Sequence, residues 1–317
     1  MKTILMTRWK YCLWWLTGSL VAIGFSGCES ARVETPAAAL STETAGRIVE
    51  DGGTGPFPAW MASDSTLATH TVFRPKDLSA FGRKRKLPII AWGNGACANS
   101  PWEHVNFLSE VASHGFLVIA IGPMPEVGQR GAPGGPTKSS LLTDAIHWAI
   151  ARNDDATSQY YRKLDPKRIA VAGMSCGGLQ ALEVAPDPRI TTAVICNSGI
   201  LGNPGGGMGG MPRLTKDHLE KLHTPTIYIL GGEKDIAYRN GMDDFRRINH
   251  VPVFAANLNV GHGGTYGRPH GGEFARVATA WFQWQLKGDQ HAAGMFEGEP
   301  CGVARMEGWE VQKKNIR

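Results

Sequence analysis

From Leu67 to Leu286, short apolar runs alternate with amphipathic stretches, and this alternation restricts the fold more than any other feature of the chain. Leu67 to Phe73, Leu87 to Trp92, Phe116 to Ile121, Ile169 to Ala172, Thr192 to Cys196, Thr226 to Leu230 and Val253 to Leu258 read as strands. Between them, Glu103 to His114, Thr137 to Arg152, Gly177 to Val184, Lys216 to Leu222, Gly241 to Asn249 and Gly272 to Leu286 read as helices. Parallel neighbours need long crossovers, and a helix is the usual crossover. The expected architecture is therefore α/β: a mostly parallel central sheet with helices on both faces and functional groups at the carboxyl ends of the strands. No segment between a strand and its helix is long enough to form a large lid domain.

The bulk composition fits one globular domain, 42% apolar and 19% charged over 317 residues, which the pattern places at residues 55–317. The formal charge is +5, but Lys2, Arg8 and Lys10 precede the domain with no acidic residue beside them, so about +2 remains beyond residue 27. So small a surplus gives no reason to expect a nucleic-acid partner. The run Arg83 to Lys86 reads as a solvated edge loop, with contact to an anionic surface or lipid headgroup as the alternative.

Those three cations are followed by an apolar stretch from Tyr11 to Phe25 and by Ser26-Gly27-Cys28, the layout of a secretory signal over residues 1–27. Small residues directly before a cysteine resemble the bacterial lipoprotein cleavage box, with Phe25 departing from its usual leucine. That resemblance implies lipidation at Cys28, export to the cell envelope, and membrane contact only through an N-terminal anchor in the periplasm or outer membrane; the alternatives are an ordinary cleaved signal with Cys28 incidental, or an uncleaved anchor. Residues 28–54, rich in Ala, Thr, Glu, Pro and Gly, read as a flexible tether.

The chemistry centres on Gly173-Met174-Ser175-Cys176-Gly177, a G-x-S-x-G pattern. In a chain with 40 glycines the pattern alone is modest evidence, so its context decides. Arg168 to Ala172 supplies a strand before it and Gly178 to Leu182 a helix after it. A strand-to-helix turn this sharp needs small neighbours and pushes Ser175 Oγ out above the sheet. The bland alternative is a serine helix cap after a glycine turn.

A serine hydroxyl is a weak nucleophile near neutral pH and needs a base oriented by a third group. The order expected in such a sheet is serine, acid, histidine. Asp235 lies just beyond the strand ending at Leu230, with Glu233 and the helix-entry carboxylates Asp243 and Asp244 as competitors. His262 occupies the glycine-rich loop after Leu258; His270 is its rival but precedes a helix start. The oxyanion of a tetrahedral intermediate needs backbone donors. The N–H of Cys176 is one candidate, and the loop Trp92 to Asn99 supplies the other, Ala96 first, then Gly95 or Cys97.

With Ser175, Asp235, His262, the Gly93-Asn94-Gly95 loop and the Ser-Cys-Gly-Gly elbow in place, the chain resembles the α/β-hydrolase superfamily. The likeness runs from about Leu67 to Gly288, closest to secreted esterase, dienelactone-hydrolase-like and polyester-hydrolase-like branches. It implies an α/β-hydrolase fold and a serine carboxylic-ester hydrolase working through an acyl-enzyme. The isolated cysteines offer no metal spacing, and the run Gly205 to Gly210 lacks the lysine and helix that a phosphate cradle needs, so no cofactor and no metal are expected. Dienelactone hydrolases carry a cysteine nucleophile where this chain has Ser175, so their substrate does not carry over. Cys97 and Cys176 fall on the two segments expected to supply oxyanion donors, so their backbones should be neighbours and a disulfide between them is expected. Cys196 reads as a buried thiol, with a second bridge to Cys301 as the alternative.

The loops 122–136 and 199–212, rich in Gly, Pro and Met, are expected to border an open cleft, with Trp102 and Tyr238 as aromatic walls. Small or polysaccharide-linked acyl esters are the expected substrates. The alternatives are a polyester-type hydrolase, a serine peptidase or acyltransferase using the same three residues, and a surface protein that only binds. Nothing in the residues specifies an oligomer.

Overall fold

The computed structural model describes residues 41–132, 134–203 and 209–317. The signal read at 1–27, Cys28 and the first part of the tether lie outside them. Ten strands form one sheet: β1 (Glu43–Arg47), β2 (Ala59–Asp64), β3 (His70–Pro75), β4 (Leu87–Gly93), β5 (Leu117–Ile121), β6 (Leu164–Met174), β7 (Ile190–Cys196), β8 (Thr226–Leu230), β9 (Val253–Leu258) and β10 (Trp309–Lys314). Their order across the sheet is β1-β2-β3-β5-β4-β6-β7-β8-β9-β10. The six strands from β5 to β9 run parallel, while β1, β2 and β3 at one edge and β10 at the other pair antiparallel.

The parallel strands are continuous apolar runs because both their faces are covered. In β4, Ile89 and Ala91 enter one core layer and Ile90 and Trp92 the other, as a two-residue period requires. The first layer packs under α2 (Ser140–Asp154), α3 (Cys176–Val184) and α4 (Tyr238–Arg247). The second packs under α1 (Val105–Ser113) and α5 (Gly272–Lys287). This is the sheet and helix arrangement of the α/β-hydrolase fold. Among the described residues, no helix is long and apolar enough to cross a membrane.

Several expectations need correction. The end of the supposed tether is structured: Glu43–Arg47 pairs with β2, and Thr54 donates its backbone N–H to Glu110 at 2.7 Å. Composition missed this because the pairing partner lies in the domain itself. Strands β2 and β10 were not expected either, and β3 begins at His70 after a turn, not at Leu67. Lys216–Lys221 is a 3-10 turn. Helix α4 begins three residues earlier than expected, which puts Asp243 and Asp244 in its middle. Arg83, Lys84 and Arg85 are exposed on a loop.

Candidate active site

Ser175 sits between β6 and α3 with φ 53° and ψ −117°, a conformation that side chains rarely adopt. Close approach of backbone enforces it. A Cβ on Gly177 would lie 2.1 Å from the Gly93 carbonyl, and one on Gly173 would lie 2.3 Å from the Gly177 oxygen. Only glycine lets the start of α3 rest on the end of β4. The turn is also tied laterally: Ser175 N–H donates to Cys196 O at 2.9 Å, and Ser198 Oγ donates to Ser175 O at 2.7 Å.

His262, in the loop after β9, places Nε2 2.9 Å from Ser175 Oγ and Nδ1 2.6 Å from Asp235 Oδ1. The two loops carrying Asp235 and His262 meet backbone to backbone. Gly261 N–H donates to Gly231 O at 2.8 Å, and a Cβ on Gly231 would lie 2.0 Å from Gly261 O. Burial by itself would raise the Asp235 pKa. Hydrogen bonds from His262, Ala237 N–H, Gly231 N–H and Asn197 Nδ2 outweigh it and hold the carboxyl below its ordinary value. An ionised Asp235 can only accept, so Nδ1 of His262 carries the proton and the Nε2 lone pair faces the serine hydroxyl. The competitors lie elsewhere: Glu233 lines a separate depression with Tyr238 and Asn257, Asp243 and Asp244 pair with Lys216, and His270 lies beside Glu110 in a different cavity.

Sequence reasoning missed Asn197 and Tyr266. Asn197 directly follows β7 with φ 43°, and its amide donates to Asp235 Oδ2 at 2.8 Å and to Gly261 O at 3.3 Å. Tyr266 Oη donates to Asn197 Oδ1, which fixes the amide orientation. Burial pushes the Tyr266 phenol well above its ordinary pKa, so it remains a donor. The position of Asn197 at a strand's carboxyl end was the available signal; Tyr266 offered none.

Cys97 and Cys176 form a disulfide with Cα atoms 5.0 Å apart, joining the loop after β4 to the start of α3. Cys196 and Cys301 are buried free thiols, so the alternative second bridge is absent. Asn94 Nδ2 braces the same loop by donating to Ala98 O at 2.9 Å and Ile121 O at 2.7 Å. Cys176 is the first residue of α3, where a backbone N–H has no intrahelical acceptor. Ala96, at φ 53°, lines the same cleft as Ser175, as does Gly95.

That cleft, of about 760 Å³, is walled mainly by Met174, Leu201, Met211 and Ile236. Ile236 is 80% exposed at its rim. The described residues Leu201, Gly202, Asn203 and Met211 of loop 199–212 therefore border it as expected. Among the described residues of 122–136 none does: Gly122 instead packs against the Asn99-Ser100 backbone, and Thr137 N–H donates to Cys97 O at 2.8 Å. Trp102 lines an adjoining lobe, whereas Tyr238 faces a separate depression with Gly232 and Asn257 and is not a wall of the cleft. Among the described residues, no group of three or more His, Cys, Asp or Glu is arranged to hold a metal.

Residues 67–201 match the family model described as PET hydrolase-like. The matched segment includes the loop after β4, both disulfide cysteines and Ser175, and ends before Asp235 and His262. Over that segment the chain is similar to ester hydrolases of the polyester type on an α/β-hydrolase fold, in keeping with the resemblance drawn from the sequence. No curated protein matches the chain.

Proposed function

We propose that the protein is a serine carboxylic-ester hydrolase of the polyester-hydrolase type, with Ser175 as nucleophile, His262 as general base and acid, and Asp235 as the group that orients the imidazole. The observation that carries this reading is the continuous hydrogen-bonded line from Asp235 Oδ1 through His262 to Ser175 Oγ, at 2.6 and 2.9 Å, opening into an apolar cleft. In the first half-reaction Ser175 Oγ attacks the ester carbonyl carbon while its proton passes to His262 Nε2. The oxyanion is held by the N–H of Cys176 and that of Ala96. Collapse breaks the acyl-oxygen bond, and His262 returns the proton to the departing alcohol. Water then enters, loses a proton to His262 and attacks the acyl carbon, which releases the carboxylic acid and restores Ser175.

The apolar, open cleft supports oligomeric or aryl esters over small hydrophilic ones; acyl esters of carbohydrates remain the second substrate class. Export and anchoring at Cys28 belong to the same proposal, and they would place the enzyme where extracellular polymers are met. A panel of p-nitrophenyl esters, polyester trimers and acetylated sugars, run on wild type and Ser175→Ala, tests the assignment. Hydrolysis of esters is expected, with kcat falling at least about 10⁴-fold in the variant. Retention of activity in Ser175→Ala would remove the proposal.

A further inference from the structure

Among the described residues lining the cleft and its adjoining lobe, Glu103 is the one carboxylate. Of the described side chains lining the lobe at Ser175, those other than His262 and Glu103 are uncharged. The adjoining lobe, about 410 Å³, shares Met174, Gly263 and Glu103 with it, so Glu103 stands at the seam. The second lobe's other ionisable groups are neutral at ordinary pH. Burial lowers His104 to about 3 and lifts the Tyr266 phenol well above its usual value. Residues 204–208, Pro-Gly-Gly-Gly-Met, contain no ionisable side chain. Neither lobe has a lysine or an arginine among its described lining residues.

Glu103 is exposed in the 3-10 turn Trp102–His104 ahead of α1, and among the described residues its carboxylate has no hydrogen-bonding or ion-pairing partner. An unneutralised charge on the wall of a largely apolar cleft projects its field into the cleft, because low-dielectric walls focus it there. Acting on a unit charge about 6–8 Å away, at an effective dielectric of roughly 20–40, it changes relative affinity by roughly 5- to 100-fold. The ordinary alternative for an acidic residue here is a favourable charge at a helix start. The two roles predict different kinetics.

We propose that Glu103 determines substrate charge, so that the cleft accepts neutral and cationic esters and discriminates against esters that carry a carboxylate on the acyl or alcohol side. This rests on the ester-hydrolase reading and specifies the substrate class of the same site. The discrimination acts on encounter and binding, so it appears in kcat/KM and weakens with salt.

The test uses three p-nitrophenyl esters of matched length: the hexanoate, the monoester of adipic acid, and the 5-trimethylammoniovalerate. For the full chain at low ionic strength, kcat/KM should fall in the order cationic, neutral, anionic, and the spread should shrink in about 0.5 M NaCl. Glu103→Gln should compress the spread at least about fivefold, Glu103→Lys should reverse it, and Glu103→Asp should preserve the order. If Glu103 only supports the start of α1, Glu103→Gln will scale all three rates alike and leave their ratios unchanged, which overturns the proposal. Ratios that ignore the charge at position 103 while hydrolysis still depends on Ser175 would sink this inference alone. Hydrolysis of none of the three esters would end the ester-hydrolase reading together with it.

Discussion

Ser175 owes its proposed reactivity to groups two and three contacts away. His262 is useful as a base only while Asp235 stays ionised and fixed, and Asp235 is fixed by Asn197, whose amide is in turn set by Tyr266. Asn197→Ala removes a donor from a buried carboxylate and leaves the Tyr266 hydroxyl without its acceptor. A loss of about 1–3 kcal/mol in stability is expected by denaturant titration, with kcat lowered about tenfold. The pH dependence follows from the sign of the Asp235 shift. Its folded pKa lies below its ordinary value, so its contribution to stability is complete above the unfolded carboxylate pKa and is lost as pH falls through the lower folded one. Without the Asn197 donor the folded value rises toward the unfolded one, so Asn197→Ala should lose less stability than wild type between about pH 5 and pH 3. Equal acid slopes for the two proteins would show that Asn197 does not tune Asp235.

At the scale of elements, one covalent link ties together the two pieces of backbone that would bind the oxyanion. The disulfide closes a separation of 79 residues, and on loop entropy alone its removal should cost about 4.5 kcal/mol. The double variant Cys97→Ala, Cys176→Ala keeps both backbone N–H groups, so any fall in kcat beyond the loss of folded protein reports loosened donors. Guanidinium denaturation and active-site titration separate the two effects, and unchanged kcat in the folded fraction would show that the link is purely stabilising. The central strands β4 to β9 could be read from the sequence because burial on both faces makes them uninterrupted apolar runs, and the elbow because its glycines are sterically obligatory. The edge strands could not. Glu43–Arg47 and Trp309–Lys314 are polar and short, and they are strands only because a neighbour offers them hydrogen bonds. The three proposed catalytic side chains were readable from their loops. Asn197 and Tyr266 were not, since their function arises from contacts across 69 residues of sequence.

Across the whole molecule, the C-terminal strand β10 covers the edge of β9, whose following loop carries His262. Trp309 packs on Phe274 with ring centroids 5.8 Å apart, and Phe274 meets Tyr266 at 5.5 Å, so the tail is linked by packing to the support of Asp235. Trp309→Ala should cost about 3–5 kcal/mol in urea denaturation, while kcat of the folded protein changes little. A stability loss under about 1 kcal/mol would mean that the tail is an appendage. The central claim is that the imidazole of His262 draws the proton from Ser175 so that this oxygen takes up the acyl group. Rapid acid quenching during turnover of a p-nitrophenyl ester, followed by peptide mass spectrometry, tests it most directly. The account predicts an acyl mass increment on Ser175 that is absent in Ser175→Ala and lost in His262→Ala. An acyl group on any other residue, or full turnover in the His262→Ala protein, would contradict it.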